Sequence, residues 1–191
     1  MQAAESILIK TGYHNFSLRK VAAASGHTLG SLQYFYPTKS DLLKAMLDRV
    51  IEGYLDMFDE IRREAGDDPE DQLRALISGI IKDLQSRRTT IFFPEVWALS
   101  NHDKLATAFM DQMYGRYRAV LIEVMGEINP ELSIDQLNRL AVFISASLEG
   151  HTMFVGYRKP WTREADSIAS MATEAFLWLV KSGSVNVPEA I

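Results

Sequence analysis

The spacing of apolar residues predicts an all-α protein: a three-helix N-terminal unit carrying a helix-turn-helix, joined by a long helix to a larger α-helical body. Three observations predict it. Two short helical segments within residues 17–36 flank the turn pair Ser25-Gly26. Leu43, Leu47, Val50, Tyr54, Phe58 and Ile61 then recur at intervals of three and four, with no breaker among them. Further on, helix-start chemistry returns at Asp68-Pro69 and at Ser133–Gln136. The division is placed after residue 45, with a helix-turn-helix domain over 1–45 and a helical body over 46–191.

Residues 3–11 read as the first helix, with Ala4, Ile7 and Leu8 on one face and Gly12 as its terminator. Ser17 stands where an N-cap belongs, and Leu18, Val21 and Ala22 give the next short helix its apolar face. Ser25-Gly26 breaks that helix, because glycine tolerates the left-handed backbone of a sharp turn. A second short helix starts from Thr28, with Leu32 and either Phe35 or Tyr36 inward. In such a layout the second helix enters the DNA major groove. Its outward face, Thr28, Leu29, Gly30, Ser31, Gln33 and Tyr34, carries no acidic residue. Gln33 can offer an amide pair to adenine, and Thr28 or Leu29 can touch a thymine methyl. Gly30 lets the backbone approach the sugar-phosphate strand, and Lys39 at the next helix start can meet a phosphate. Ser17 and Arg19 complete the candidate DNA-contacting set.

The residues Gly12-Tyr13, Ser17-Leu18-Arg19-Lys20-Val21-Ala22, Ser25 through Lys39 and Leu42-Leu43 together resemble the N-terminal domain of the TetR family of transcriptional regulators. The likeness covers roughly residues 3–50. His27 and Gln33 depart from the residues usual at their positions. The resemblance implies that Thr28–Tyr36 is the recognition helix, that the remaining helices bind a small molecule and dimerise, and that ligand relieves repression. It also implies a longer first helix preceded by a basic arm. Neither is visible in this sequence, and no phosphate contacts from such an arm are read from it.

In the body, the long helix from Ser40 to Gly66 would span about 38 Å at ~1.5 Å per residue. Asp68 caps the next helix, with Pro69 at its first position and Leu73, Leu76, Ile77, Ile80, Ile81 and Leu84 inward. That helix ends at the polar run Ser86–Thr90, whose Arg pair reads as a solvated loop end. Within Ile91–Asn101, Pro94 either starts a helix or kinks one. Aromatic walls beside a few polar groups are what small-molecule cavities use. Phe92, Phe93, Trp97, Phe109, Met113, Tyr117 and Met153 are therefore the candidate ligand-facing residues, favouring an apolar or aromatic effector, with Glu95 a weaker candidate beside them. A helix over 103–127 carries Phe109, Met113, Tyr117 and Val124 on one face, with Val120 or Leu121 joining them. Ser133 and Gln136 form a capping box for a helix over about 134–156, and a last helix covers about 163–181. These two helices are apolar on more than one face. They would bury the surplus against a second copy, with Ile144, Leu148, Val155, Ile168, Met171, Ala175 and Leu179 at the dimer interface. The tail after Gly183 reads as loosely held.

Composition narrows the function classes. The chain has 191 residues, 47% of them hydrophobic, 24% charged and none of them cysteine. That is a globular profile with no disulfide framework, which fits the cytoplasm. No apolar run approaches the roughly 20 residues of a membrane span, so no membrane partner is expected. Net charge is −5, but residues 10–49 hold six basic and two acidic side chains, a net of +4, leaving −9 on the remainder. A basic head on an acidic body suits DNA at one end only. His14, His27, His102 and His151 are scattered, without metal-ligand spacing, and neither a nucleophile elbow nor a phosphate-cradling glycine loop occurs. Glu149 and His151 point to different helix faces and make poor acid–base partners. No catalytic residue, metal or cofactor is assigned, and an enzyme is not expected. The expected partners are double-stranded operator DNA, a small-molecule effector and a second copy of the chain. The competing expectation is a helical carrier or interaction module that no longer binds DNA.

Overall fold

The structure, a computed structural model, describes residues 1–183; the expected loose tail lies outside them. Every regular element among the described residues is helical. Ten α-helices follow in order: α1 (Gln2–Thr11), α2 (Leu18–Ser25), α3 (Leu29–Phe35), α4 (Lys39–Ala65), α5 (Pro69–Leu84), α6 (Arg87–Ser100), α7 (Lys104–Ile128), α8 (Ile134–Gly150), α9 (Thr152–Val155) and α10 (Ala165–Ser182). No helix among them is long and apolar enough to cross a membrane.

Local chemistry sets most of the boundaries. Ser17 and Thr28 cap α2 and α3, accepting from the N–H groups of Lys20 and Ser31 at 3.3 and 3.1 Å. Gly26 closes α2 in the left-handed region at φ 72°, which brings the His27 N–H to the Ala22 carbonyl at 3.0 Å. Asp68 caps α5, Asp103 caps α7 through the N–H groups of Leu105 and Ala106, and the Ser133–Gln136 box opens α8.

Two boundaries differ from the sequence expectation. The run Arg87–Thr90 is the first turn of α6, not a loop end. Ser86 caps it by accepting from the Thr89 N–H at 3.0 Å, and the threonines are buried. The Thr90 hydroxyl donates to the Leu84 carbonyl at 2.6 Å and accepts from the Tyr157 N–H at 2.7 Å. Hydrogen bonding, not apolar character, is what pulls the two threonines inward, while Arg87 and Arg88 stay exposed as expected. Pro94 therefore sits within α6 instead of starting it. The helix expected over 134–156 stops at Gly150 and resumes briefly as α9. Gly156 then passes so close to Thr152 and Thr90 that a Cβ there would stand 2.6 Å from the Thr152 carbonyl oxygen.

The described residues form two compact units. The first comprises Met1–Tyr54 with Ile91–Met113; the second comprises Leu55–Thr90 with the residues from Tyr114 onward. This differs from the expected break after residue 45, since residues 91–113 group with the N-terminal helices. The first unit's core draws Leu8, Phe16 and Val21 from the head, Leu43, Leu47 and Val50 from α4, and Phe92, Phe93 and Phe109 from α6 and α7. The second unit buries Leu73, Ile77 and Ile81 of α5 with Leu121, Leu140, Ile144 and Phe176. Within it α4 and α5 approach closely at Gly79, where a Cβ would meet Ile61 Cδ1 at 2.6 Å. A mid-helix glycine costs about 1 kcal/mol relative to alanine, and this contact is its physical reason.

Candidate functional site

In the first unit α2 and α3 form the expected helix-turn-helix. Arg19, Thr28, Gly30, Ser31, Gln33 and Tyr34 are exposed, Tyr34 at 82%, while Ser17 and Leu29 are partly covered. The Ser17 and Thr28 hydroxyls already serve as caps. Gly30 has no positive φ, and a Cβ there would meet nothing within 4 Å. The isolated fold thus makes no demand for glycine at that position. Tyr34 and Phe35 pack edge to face at 5.1 Å, and both stay exposed.

Lys39 has partners within the chain. Its ammonium donates to the Tyr13 carbonyl at 3.0 Å and stands 3.8 Å over the Tyr13 ring. A carbonyl and an aromatic face inside the chain engage the charge, so Lys39 fastens the turn after α1. The same turn is held from its other side. The Tyr13 N–H donates to Glu95 of α6 at 3.2 Å, and a Cβ on Gly12 would stand 3.4 Å from that carboxylate. Glu95 accordingly braces the head and is not a ligand-facing group. Burial raises the Tyr13 pKa, with Asp103 adding to the rise; burial lowers that of Lys39, with Asp103 opposing. Asp103, the α7 cap, thus acts on both groups through its charge.

The candidate ligand-facing residues are divided between the units. Phe92, Phe93, Phe109 and Met113 are buried in the first, where Phe93 meets Tyr54 edge to face at 5.4 Å and Trp97 at 6.3 Å. Tyr117 is buried in the second, stacked on Phe58 at 5.4 Å. Met153 is 57% exposed on α9, which corrects its assignment as a lining residue: the break at Gly150 turns it outward.

Among the described residues three buried oxygens of the second unit find no hydrogen-bond partner: Tyr117 Oη, Glu149 Oε2 and Thr152 Oγ1. Glu149 retains some exposure as a residue, but Oε2 itself is shielded. Burial pushes this carboxyl up to about 7, against a hydrogen bond from Tyr114 that lowers it and a nearby Asp83 that raises it. Each unmet buried polar group costs about 1–3 kcal/mol. The sequence set Glu149 aside as a poor acid–base partner of His151 and gave no signal for Thr152. The available signal was an acid in the C-terminal half of α8, which carries no other charged residue after Arg139.

The expected dimer residues also sort by exposure. Ile144, Leu148 and Val155 are buried inside the second unit and are corrected as contact residues. Met171 is 72% exposed and Ala175 is exposed, while Ile168 and Leu179 are partly covered. Beside them lie exposed Val142 and Phe143 of α8 and Trp178 of α10, which the sequence reading did not select. The stripes were assigned correctly to helices, but the inward and outward sides of α8 were exchanged. Among the described residues no group of three or more His, Asp or Glu could hold a metal ion.

Comparison with known proteins bears on both units. Residues 1–46 match the family model described as bacterial regulatory proteins, tetR family, and residues 69–176 match BetI-type transcriptional repressor, C-terminal. The HTH-type transcriptional regulator BetI of Stenotrophomonas maltophilia is 29% identical over 92 residues, 48% of this chain and 47% of that protein. The match thus spans about half that relative's length. An uncharacterised HTH-type transcriptional regulator in the dhlA 5′ region of Xanthobacter autotrophicus is 27% identical over 157 residues, 80% of this chain and 76% of the other. Among solved structures, a transcriptional regulator from Rhodococcus sp. Rha1 superposes with a TM-score of 0.77 at 18% identity, covering 98% of this chain and 96% of that one. GusR of Salmonella enterica gives 0.74 at 19% identity, with 94% and 92% covered. At these identities the structural likeness concerns the fold.

Proposed function

We propose, from the premise that this chain belongs to the TetR family and is a DNA-binding transcriptional regulator, that it is a repressor binding a near-palindromic operator as a homodimer and released by a small, largely apolar or aromatic effector. The observation that carries the reading is the outward face of α3. Gly30, Ser31, Gln33 and Tyr34 are exposed and free of acidic neighbours on that helix, and no packing contact of the free fold calls for the glycine. Groups left uncommitted by folding are available to base edges and phosphates. With Lys39 held by Tyr13, phosphate contact falls to Arg19 and the small polar side chains.

The repressor sign is supported by the C-terminal match to a family described as BetI-type repressors. Dimerisation is supported by the exposed stripe of Val142, Phe143, Met171 and Trp178, which a second copy would cover isologously. Two recognition helices about 34 Å apart would then read successive major grooves. Effector responsiveness is supported by aromatic residues around Phe93 in one unit and Tyr117 in the other. α4 contributes residues to both units as one continuous helix, so a ligand preferring one arrangement of it would change DNA affinity. The site of action is the cytoplasm, where operator DNA is found.

Fluorescence anisotropy tests the reading, with a duplex from upstream of the protein's own gene against a scrambled duplex at two salt concentrations. Preference for the native duplex that weakens but survives at higher salt is the expected result. Equal, steeply salt-dependent binding to both would reduce the interaction to phosphate attraction. Binding to neither would favour a helical carrier that no longer acts on DNA.

A further inference from the structure

We propose that the second unit binds a small zwitterion of the amino-acid class in a slot between α5 and α10. The inference goes beyond the effector reading above and involves neither the aromatic residues around Phe93 nor Tyr117. α5 and α10 run antiparallel against each other, since Glu70 and Arg74 of α5 pair in that order with Lys181 and Glu174 of α10. Two turns further along each helix, about 12 Å at ~1.5 Å per residue, the facing positions are Lys82 and Asp166. A hollow of about 410 Å³ is lined by both couples, with Ser78 and Ser170 midway between them.

The polar groups of this hollow are uncommitted. Among the described residues neither the Lys82 nor the Asp166 side chain has an ion-pair or hydrogen-bond partner, although they face each other across packed helices. The Ser78 and Ser170 hydroxyls are likewise unbonded, whereas the Thr173 hydroxyl beside them donates to the Ala169 carbonyl at 2.7 Å. At the other end the Arg74–Glu174 pair is closed on itself, and Glu70 and Asp71 act on the same arginine, so the free charges lie at the Lys82 end. One cation, one anion and two hydroxyls therefore line a single space. An anion held by Lys82 would be repelled by Asp166 and Glu174, and a cation held by Asp166 would be repelled by Lys82. A molecule carrying both charges answers both, and its donors and acceptors suit the hydroxyls. Gly79 and the buried Ile81 and Ala169 supply an apolar wall for a short carbon frame.

Calorimetry of the full chain with 2-aminobutyrate and 4-aminobutyrate, against butyrate and butylamine, tests this on one carbon frame. At least one aminobutyrate is expected to bind about fivefold more tightly than either single-charge analogue, the upper range for one exposed ion pair. Lys82→Met should bring its affinity down to that of butylamine, and Asp166→Asn down to that of butyrate, both with the fold retained by circular dichroism. Ser170→Leu should fill the slot and remove binding. No aminobutyrate binding, equal binding of all four compounds, or a preference unchanged in Lys82→Met and Asp166→Asn would overturn the proposal. A change of the sedimenting species in either variant would overturn it too, by assigning the slot to a contact between copies. The regulator reading rests on operator anisotropy and is untouched by these outcomes.

Discussion

The Tyr13 backbone N–H donates to the Glu95 carboxylate at 3.2 Å, joining residues 82 positions apart in sequence. Through this bond α6 holds the turn that follows α1, and Lys39 holds the same turn by its carbonyl and ring.

Replacing Glu95 with Ala should leave the Tyr13 N–H without its acceptor and cost about 1 kcal/mol of stability, since the bond is only partly buried. Urea denaturation reads the loss, and hydrogen exchange should show faster exchange at the Tyr13 amide. Glu95→Gln keeps an acceptor and should recover much of the stability. An unchanged amide in Glu95→Ala would remove the brace from the account.

Lys39 and Arg19 should behave differently on DNA. Lys39→Met should lower stability by roughly 0.5–1 kcal/mol, as expected for an exposed cation–π pair, and leave the salt dependence of operator binding unchanged. Arg19→Ala should flatten the slope of log K against log salt by about 0.9, the value for one phosphate contact. A flattened slope in Lys39→Met would return that side chain to the DNA interface.

Gly30→Ala should not lower the melting temperature, because the added methyl meets nothing within 4 Å. Operator affinity should nevertheless fall by about tenfold, equivalent to ~1.4 kcal/mol, as the methyl intrudes where DNA approaches. Equal affinity would show that Gly30 is not at the interface.

Phe143 and Trp178 are 54% and 62% exposed, and Phe143 meets buried Phe176 edge to face at 6.1 Å. Phe143→Asp together with Trp178→Glu should shift the protein to monomer in sedimentation and weaken operator binding with little loss of helicity. A dimer persisting at micromolar concentration would place the contact elsewhere.

The Glu149 carboxyl has an ordinary value of 4.5 and is raised to about 7 in the fold. Below pH 4.5 the group is protonated whether folded or unfolded, and it costs nothing. Between pH 4.5 and 7 the unfolded chain binds fewer protons, so stability falls as pH rises, by about 3 kcal/mol in all, and then levels. Comparing denaturation of the native chain with Glu149→Gln at pH 5 and pH 7.5 isolates the effect. Parallel losses in both proteins would contradict it.

The sequence by itself determined the helices and the head. Caps at Ser17, Thr28, Asp68 and Ser133 act within three residues, and the stripe from Leu43 to Ile61 follows from helical period alone. Such local rules are written in adjacent residues, which is why α2, α3 and the turn between them were legible. Tertiary structure decided which polar groups are used inside the chain. Lys39 and Glu95 look like surface charges until Tyr13 arrives from a distant part of the sequence. Thr90 looks like loop until Tyr157 donates to it. On α8, inward Ile144 and outward Phe143 are adjacent and equally apolar, so hydrophobicity could not choose between them. The contacts of α5, α7 and α10 made that choice, and the same packing left Tyr117, Glu149 and Thr152 enclosed with their oxygens unmet.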